Sequence, residues 1–447
     1  MKLFSRFFIA LLLLSFLLRI LIMFWSFNFR ENTDVLRFRD WARIAHVYGL
    51  KDAYKSGHLQ FGTLVNNMPP GSLYFNVAAY ETQISLVKIY LRITNQEPGS
   101  NLWINSYLIN IFLRLPAIIA DLAIGLLIYR WVKSKNKEKS SILASSLFLF
   151  NPVVLYNSAF WGQMDSLYAL PLLIAFYLLS KKQYFWSILA FSFSLYVKLN
   201  ALFFLPFFLI ITYKLIKNKV AFLTHIILSF FVIYALTIPV SATPLTFISN
   251  LFLKTSSGEM QNVTNFAFNF WWFLLKPFIA IGEPKTLFNF SEIRLLGSPL
   301  SSTSYFGLQL TIWAFLIFSL ALIPVILKIT FLKREKILHP QTLLLFSLIA
   351  ILGFIFLPRM HERYMYPLFP LFATYVGLKQ KFLFIFIILS FLNFINLYLV
   401  WHPMMLFFMP YEIMNNQWFQ WLISGSITAT GIIFYIRSLK LLRNEEN

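Results

Sequence analysis

The chain contains no cysteine, which excludes disulfides, thiolate nucleophiles and any cysteine-based metal site. Charge is also scarce, at 12% of residues, against about a quarter in soluble domains. Acidic residues are the scarcest part of it, 17 Asp and Glu against 38 Lys and Arg. The six His show neither an HExxH motif nor paired spacing, and there is no Walker loop. No metal, soluble nucleotide or other cofactor is therefore expected. Hydrophobic residues make up 59% of the chain. They gather in runs close to the ~20 residues that cross a bilayer. The runs are continuous rather than alternating, which favours a helical bundle over a membrane barrel. An all-α polytopic membrane protein is expected, as one domain over 1–447.

A net charge of +21 raises nucleic acid as a partner. The basic residues argue against it, because many sit in short loops between apolar runs, the positive-inside pattern of membrane topology. About twelve spans are expected, near 7–27, 107–130, 141–158, 166–180, 184–197, 201–213, 220–239, 306–327, 342–357, 364–378, 382–400 and 418–436. With a cytoplasmic N-terminus, the basic connections 133–139, 181–183, 214–219, 328–336 and 379–381 and the C-terminal tail all fall on one face. Both termini are then cytoplasmic. The N-terminal run is too long for a signal-peptide core and has no small-residue cleavage site, so it reads as a first span.

The opposite face carries two long segments, 28–106 and 240–305, and short connections at 159–165, 198–200, 358–363 and 401–417. Arg37, Arg39, Arg43, Arg114, Lys198 and the "RMHER" group at 359–363 lie there, against the charge rule. In "NTDVLRFRDWARIAHVY", Val35, Phe38, Trp41, Ala45 and Tyr48 recur at helical spacing with charges between them. That pattern suits an amphipathic helix in the bilayer interface, capped by Asn32 or Thr33 with Asp34 in its first turn.

Four clusters on this face carry the ionisable and polar groups. In "TDVLRFRDW", Asp34 near a helix start stays ionised, as a general base must before reaction. Solvated charges on an interfacial helix would read the same way. "NNMPPGSLYF" (66–75) has the turn chemistry of a punctuated helix start. In "FWGQMDSLYALP" (160–171), Asp165 is placed either for a site or to cap the following helix. Arg359, His361 and Arg363, with Lys198, form a cationic set near membrane depth, where a functional partner is the default suspicion. A phosphate, gripped by Arg, fits that set. Snorkelling of Lys198 and an internal salt-bridge knot through Glu362 are the structural alternatives. Chemistry on an outer face, away from soluble nucleotides, points to a lipid-borne activated substrate.

Six stretches in order carry a family resemblance: "TDVLRFRDWA", "NNMPPGSLYF", "LRLPAIIADLAIGLLIY", "FNPVVLYNSAFWGQMDSLYALPLLIAFYLL", "KLNALFFLPFFLI" and "RMHERYMYPLFP". Together they resemble the GT-C glycosyltransferases, multi-spanning enzymes that use polyprenyl-phosphate sugars. The likeness is to bacterial and archaeal relatives of the eukaryotic lumenal glucosyltransferases and the PIG-M mannosyltransferases. It covers most of the chain and is weakest at 240–305 and after 400.

The resemblance implies transfer of a mannose or glucose, with inversion, from a polyprenyl-phosphate donor to a lipid-linked or glycan acceptor. The transfer would occur outside the cytoplasm, across the plasma membrane of a bacterium or archaeon. Asp34 matches the family's acidic residue of the first outer loop, its general base. His361 and Glu362 match the His-Glu pair near the donor phosphate, with Arg359, Arg363 and Lys198 as further phosphate ligands. Asp40, Asn67, Tyr74, Trp161, Gln163 and Asp165 are the candidate substrate contacts. Asn67 stands where many relatives have Asp, and Met-Pro-Pro replaces a Tyr-Pro-Pro-like motif. The alternative from another class is a transporter or lipid flippase, for which Arg19 and Asp121 inside apolar runs are the motive.

Overall fold

The computed structural model describes residues 5–27, 33–60, 63–96, 102–257, 261–280, 299–338, 340–400, 413 and 416–444. A helix stands at every predicted span. Six helices are long and apolar enough to cross a membrane: Arg6–Ser26, Leu108–Lys133, Lys219–Thr237, Leu310–Phe331, Leu383–Val400 and Trp418–Asn444. The broken pair Glu138–Leu149 and Pro152–Trp161 makes a seventh if it counts as one span. The protein is thus an all-α, multi-pass membrane protein. Five further apolar helices, such as Asp165–Ser180 and Pro340–Phe356, are shorter than a full crossing.

The chain gathers into two compact units. The first is Met1–Leu127, Val154–Ala201 and Val220–Ser256; the second is Ile128–Val153, Leu202–Lys219 and Ser257–Asn447. The long segment 240–305 is divided between them, and its stretch 281–298 lies outside the described residues.

In the first unit, Arg6–Ser26 starts at Ser5, whose hydroxyl accepts the Phe8 amide at 3.2 Å. Phe8, Ser15, Arg19, Met23 and Ser26 form its buried stripe, while Leu13, Leu17 and Leu21 point outward. Polar groups inside and leucines outside reverse the soluble pattern, as a lipid-facing helix requires. Met23 packs with Ile118 and Ala159. Beside them Arg19 Nε donates to Asp121 at 3.1 Å and its Nη1 to Ser15, while Ser158 Oγ donates to Asp121 at 2.5 Å. These two intramembrane charges are one another's partners.

The helix Thr33–Tyr48 buries Val35, Phe38, Trp41 and Ala45, as the spacing predicts. Tyr48 instead stays exposed and stacks on His58 with ring centroids 3.8 Å apart. Asn32 lies outside the described residues. The helix packs on Pro70–Thr94, which Pro70 opens without loss because its first amide has no helical partner. Gly71 follows because a Cβ there would stand 2.6 Å from the Tyr196 carbonyl oxygen. Gly71→Ala is expected to force the two backbones apart at a cost of about 1–3 kcal/mol. A lowered thermal midpoint in detergent, with helix content unchanged, checks this.

In the second unit, every side chain from Gln341 to Phe356 is buried. The last carbonyls of that helix lack helical donors. Asn269 Nδ2 reaches Phe354 O at 3.1 Å and Trp271 Nε1 reaches Phe356 O at 2.8 Å. Trp271 is itself held by Val263, Leu275, Leu310 and Ala314. These contacts pin residues 263–271 beside the loop that follows Phe356. There Thr264–Asn265 pairs in parallel with Met360–His361.

Candidate active site

The first unit gathers most of the predicted site residues. Asp34 sits in the first turn of its helix with a partly exposed carboxylate. Gln163, itself buried, donates Nε2 to Asp34 Oδ2, and Arg37 Nη1 lies 3.5 Å from Oδ1. Gln163 is aimed by a π-helical turn, Tyr156–Trp161, which buries Trp161. The turn closes when the Gly162 and Gln163 amides both donate to the Asn157 carbonyl, the second at 2.9 Å. Gly162 takes φ +82°, and a Cβ there would meet Val35 Cγ2 at 2.8 Å and Arg114 Nε at 3.2 Å. Only glycine meets both demands.

Asp165 does not cap the Asp165–Ser180 helix, since no side-chain bond reaches that helix start. Its carboxylate is fully buried and binds Lys198 through Oδ1 and Asn157 Nδ2, at 3.0 Å, through Oδ2. Lys198 is correspondingly buried and does not snorkel, and it belongs to the first unit, whereas residues 359–363 belong to the second. Desolvation decides this: neither charge could stay inside without the other.

Asp40 and Tyr74 each bind neighbouring backbone. Asp40 is fully buried, and its oxygens take Arg43 at 2.8 Å, the Gln60 amide at 2.8 Å and the Thr63 hydroxyl. Tyr74 donates its hydroxyl to Leu236 O at 2.5 Å, joined there by Tyr196 at 2.9 Å, satisfying a carbonyl near the end of the Lys219–Thr237 helix. Asn67 is half-buried in the turn before Pro69. Its neighbour Asn66 fixes that turn by accepting the Met68 amide at 2.9 Å.

In the second unit, Arg359, His361, Glu362 and Arg363 form a compact group. Arg359 adopts φ +59°, rare for a side chain of its size. Its amide donates to Val263 O at 2.7 Å and its Nε to Ser301 Oγ at 3.2 Å, while Asn265 Nδ2 approaches its carbonyl at 3.4 Å. Glu362 is buried beneath the group, with Arg363 Nη1 at 2.7 Å and His361 Nδ1 at 3.6 Å, while those two side chains remain partly exposed. Burial pushes the Glu362 carboxyl up most strongly, but Arg363 and His361 together hold it down at about 2.

Stability from this ionised carboxylate is therefore complete above the ordinary range near ~4.3 and lost as pH falls through about 2. The difference in thermal midpoint between wild type and Glu362→Gln is expected to shrink across that window. A difference that holds constant through it would show that Glu362 is not ionised there.

Sequence reasoning missed Asn157, Asn265 and Ser301; Asn265 and Ser301 lie among other polar residues and carry no distinguishing signal. Arg114 stood out by its sidedness alone; it lies against Gly162 and donates Nη1 to Asn110 O at 3.1 Å. Among the described residues no group of three His, Asp or Glu is placed to hold a metal ion. No protein-family model matches the chain, and no curated protein matches its sequence.

Proposed function

We propose that the protein is a membrane glycosyltransferase of the GT-C type. It moves a hexose, mannose or glucose, from a polyprenyl-phosphate donor to an extracytoplasmic lipid-linked or glycan acceptor. The observation that carries this reading is the Asp34 carboxylate, partly exposed, with one oxygen held by buried Gln163 and the other 3.5 Å from Arg37 Nη1. A fixed, accessible carboxylate is what a general base requires, geometry first. Asp34 takes the proton of the acceptor hydroxyl as that oxygen attacks the anomeric carbon. The bond to the lipid phosphate breaks with its electrons, and the configuration inverts.

The resemblance to the GT-C glycosyltransferases assigns Arg359, His361 and Arg363, each partly exposed, to the donor phosphate, where cations stabilise the charge that develops on a leaving group. Glu362 holds Arg363 and His361 in place rather than meeting an anion itself. In this reading the helices make about twelve crossings, the shorter ones enclosed by longer neighbours. Thr33–Tyr48 and Pro70–Thr94 lie in the outer interface, and both termini are cytoplasmic.

The test is purified protein in liposomes, given polyprenyl-phosphate mannose or glucose and a lipid-linked or oligosaccharide acceptor. Transfer of the sugar with release of polyprenyl phosphate is expected. No transfer from either donor, with movement of a lipid or solute across the bilayer, would replace this reading with a transporter or flippase.

A further inference from the structure

We propose that the buried Lys198–Asp165 pair positions the Asp34 carboxylate, acting through Gln163; calling this a catalytic arrangement rests on the reading of Asp34 as the base. Asp165 opens one helix and Lys198 directly follows the next, so the pair closes one end of a helical hairpin. The hairpin is fixed alongside by Ser194 Oγ, which donates to Tyr168 O at 2.8 Å, and Lys198 Nζ lies 5.6 Å from the Tyr168 ring centre. Asn157 links this end to the turn before it. Its side chain binds Asp165 at 3.0 Å, and its carbonyl accepts the Gln163 amide at 2.9 Å.

The backbone of Gln163 is thus held one residue from Met164 and two from the ion pair. From there its side chain extends to Asp34 Oδ2. The adjacent Gly162 leaves room for Val35, the residue after Asp34, where a Cβ would come within 2.8 Å of Val35 Cγ2, so the same turn lies beside both the helix start and its carboxylate.

A charge pair buried this deeply is a weak source of stability. Its distinctive product here is a defined position for residues 162–165. Lys198 binds Asp165, and Asp165 binds Asn157, whose carbonyl holds the Gln163 amide, so both charges act through that turn and are positioning residues.

Hydrogen exchange of the 33–41 segment tests the linkage without reference to activity. Gln163→Leu is expected to speed exchange there about tenfold. The double variant Asp165→Asn with Lys198→Met removes both charges together and avoids stranding one inside. It is expected to speed exchange of the same segment to a similar degree. The triple variant should add nothing, because groups acting in one chain do not contribute independently. In the transfer assay each variant should lower kcat about tenfold while KM stays within about twofold.

If the double variant leaves 33–41 exchange at the wild-type rate, or the effects multiply in the triple variant, the positioning role is wrong, whatever the enzyme does. If wild type transfers no sugar while the exchange pattern appears as stated, the pair still holds the Asp34 helix and only the reading of Asp34 as a base falls. Restored kcat in the double variant with exchange still fast would show that positioning does not govern the reaction.

Discussion

Asp34→Asn is expected to reduce sugar transfer by about 10²–10⁴-fold, the range that a positioned proton acceptor contributes. The substitution keeps the side chain's shape and an oxygen able to accept from Gln163. It removes the capacity to take a proton. The acceptor and donor should therefore bind as before, and the loss should fall on kcat rather than KM. Asp40 provides the contrast within the same helix. Its carboxylate is fully buried and holds Arg43, the Gln60 amide and the Thr63 hydroxyl. Asp40→Asn is expected to lower the thermal midpoint, while the folded fraction retains its rate. Full transfer activity in Asp34→Asn would remove the base assignment even if the enzyme class stands.

The contrast between these two carboxylates also marks where sequence reasoning reached its limit. Val35, Phe38, Trp41 and Ala45 declared their shared face through spacing alone, because helical periodicity is a local property. Within "RMHER" the pairing of Glu362 with its neighbours was legible for the same reason, since the partners are adjacent. Asp34 and Asp40, six positions apart in one motif, look alike in sequence, and only the fold separates a partly exposed carboxylate from a fully buried one. Lys198 and Asp165 are 33 residues apart, and nothing local says that two helices bring them together. The support that Asn265 and Ser301 give Arg359 comes from farther still.

Hydropathy had a related limit. It finds apolar helices but does not distinguish a lipid-facing span from one enclosed by protein. Pro340–Phe356, buried from Gln341 onward, is strongly apolar yet only 17 residues long. The expected crossings were all found as helices, while their number as crossings is a matter of length and surroundings.

Arg19→Leu is expected to destabilise the fold by about 3–5 kcal/mol, because it strands Asp121 as an uncompensated charge in an apolar interior. Ser158 would remain as a hydrogen-bond donor to Asp121, but a hydroxyl does not neutralise a carboxylate. The paired substitution Arg19→Leu with Asp121→Leu removes the charge problem altogether. It should bring stability back to within about 1 kcal/mol of wild type or above it, since well-packed apolar residues commonly equal a buried ion pair. Thermal midpoints in one detergent measure both effects. The pair leaves Arg19 Nη2 without a hydrogen-bond partner among the described residues, so its satisfaction is incomplete and its replacement costs less than a complete network would. The same double variant separates the two functional classes. A carrier that moves charge through Arg19 and Asp121 would lose its activity when both become leucine. A glycosyltransferase that uses Asp34 and the Arg359–Arg363 loop should keep transferring sugar, because a charge pair closed on itself within one unit serves the packing of Arg6–Ser26 and not the reaction.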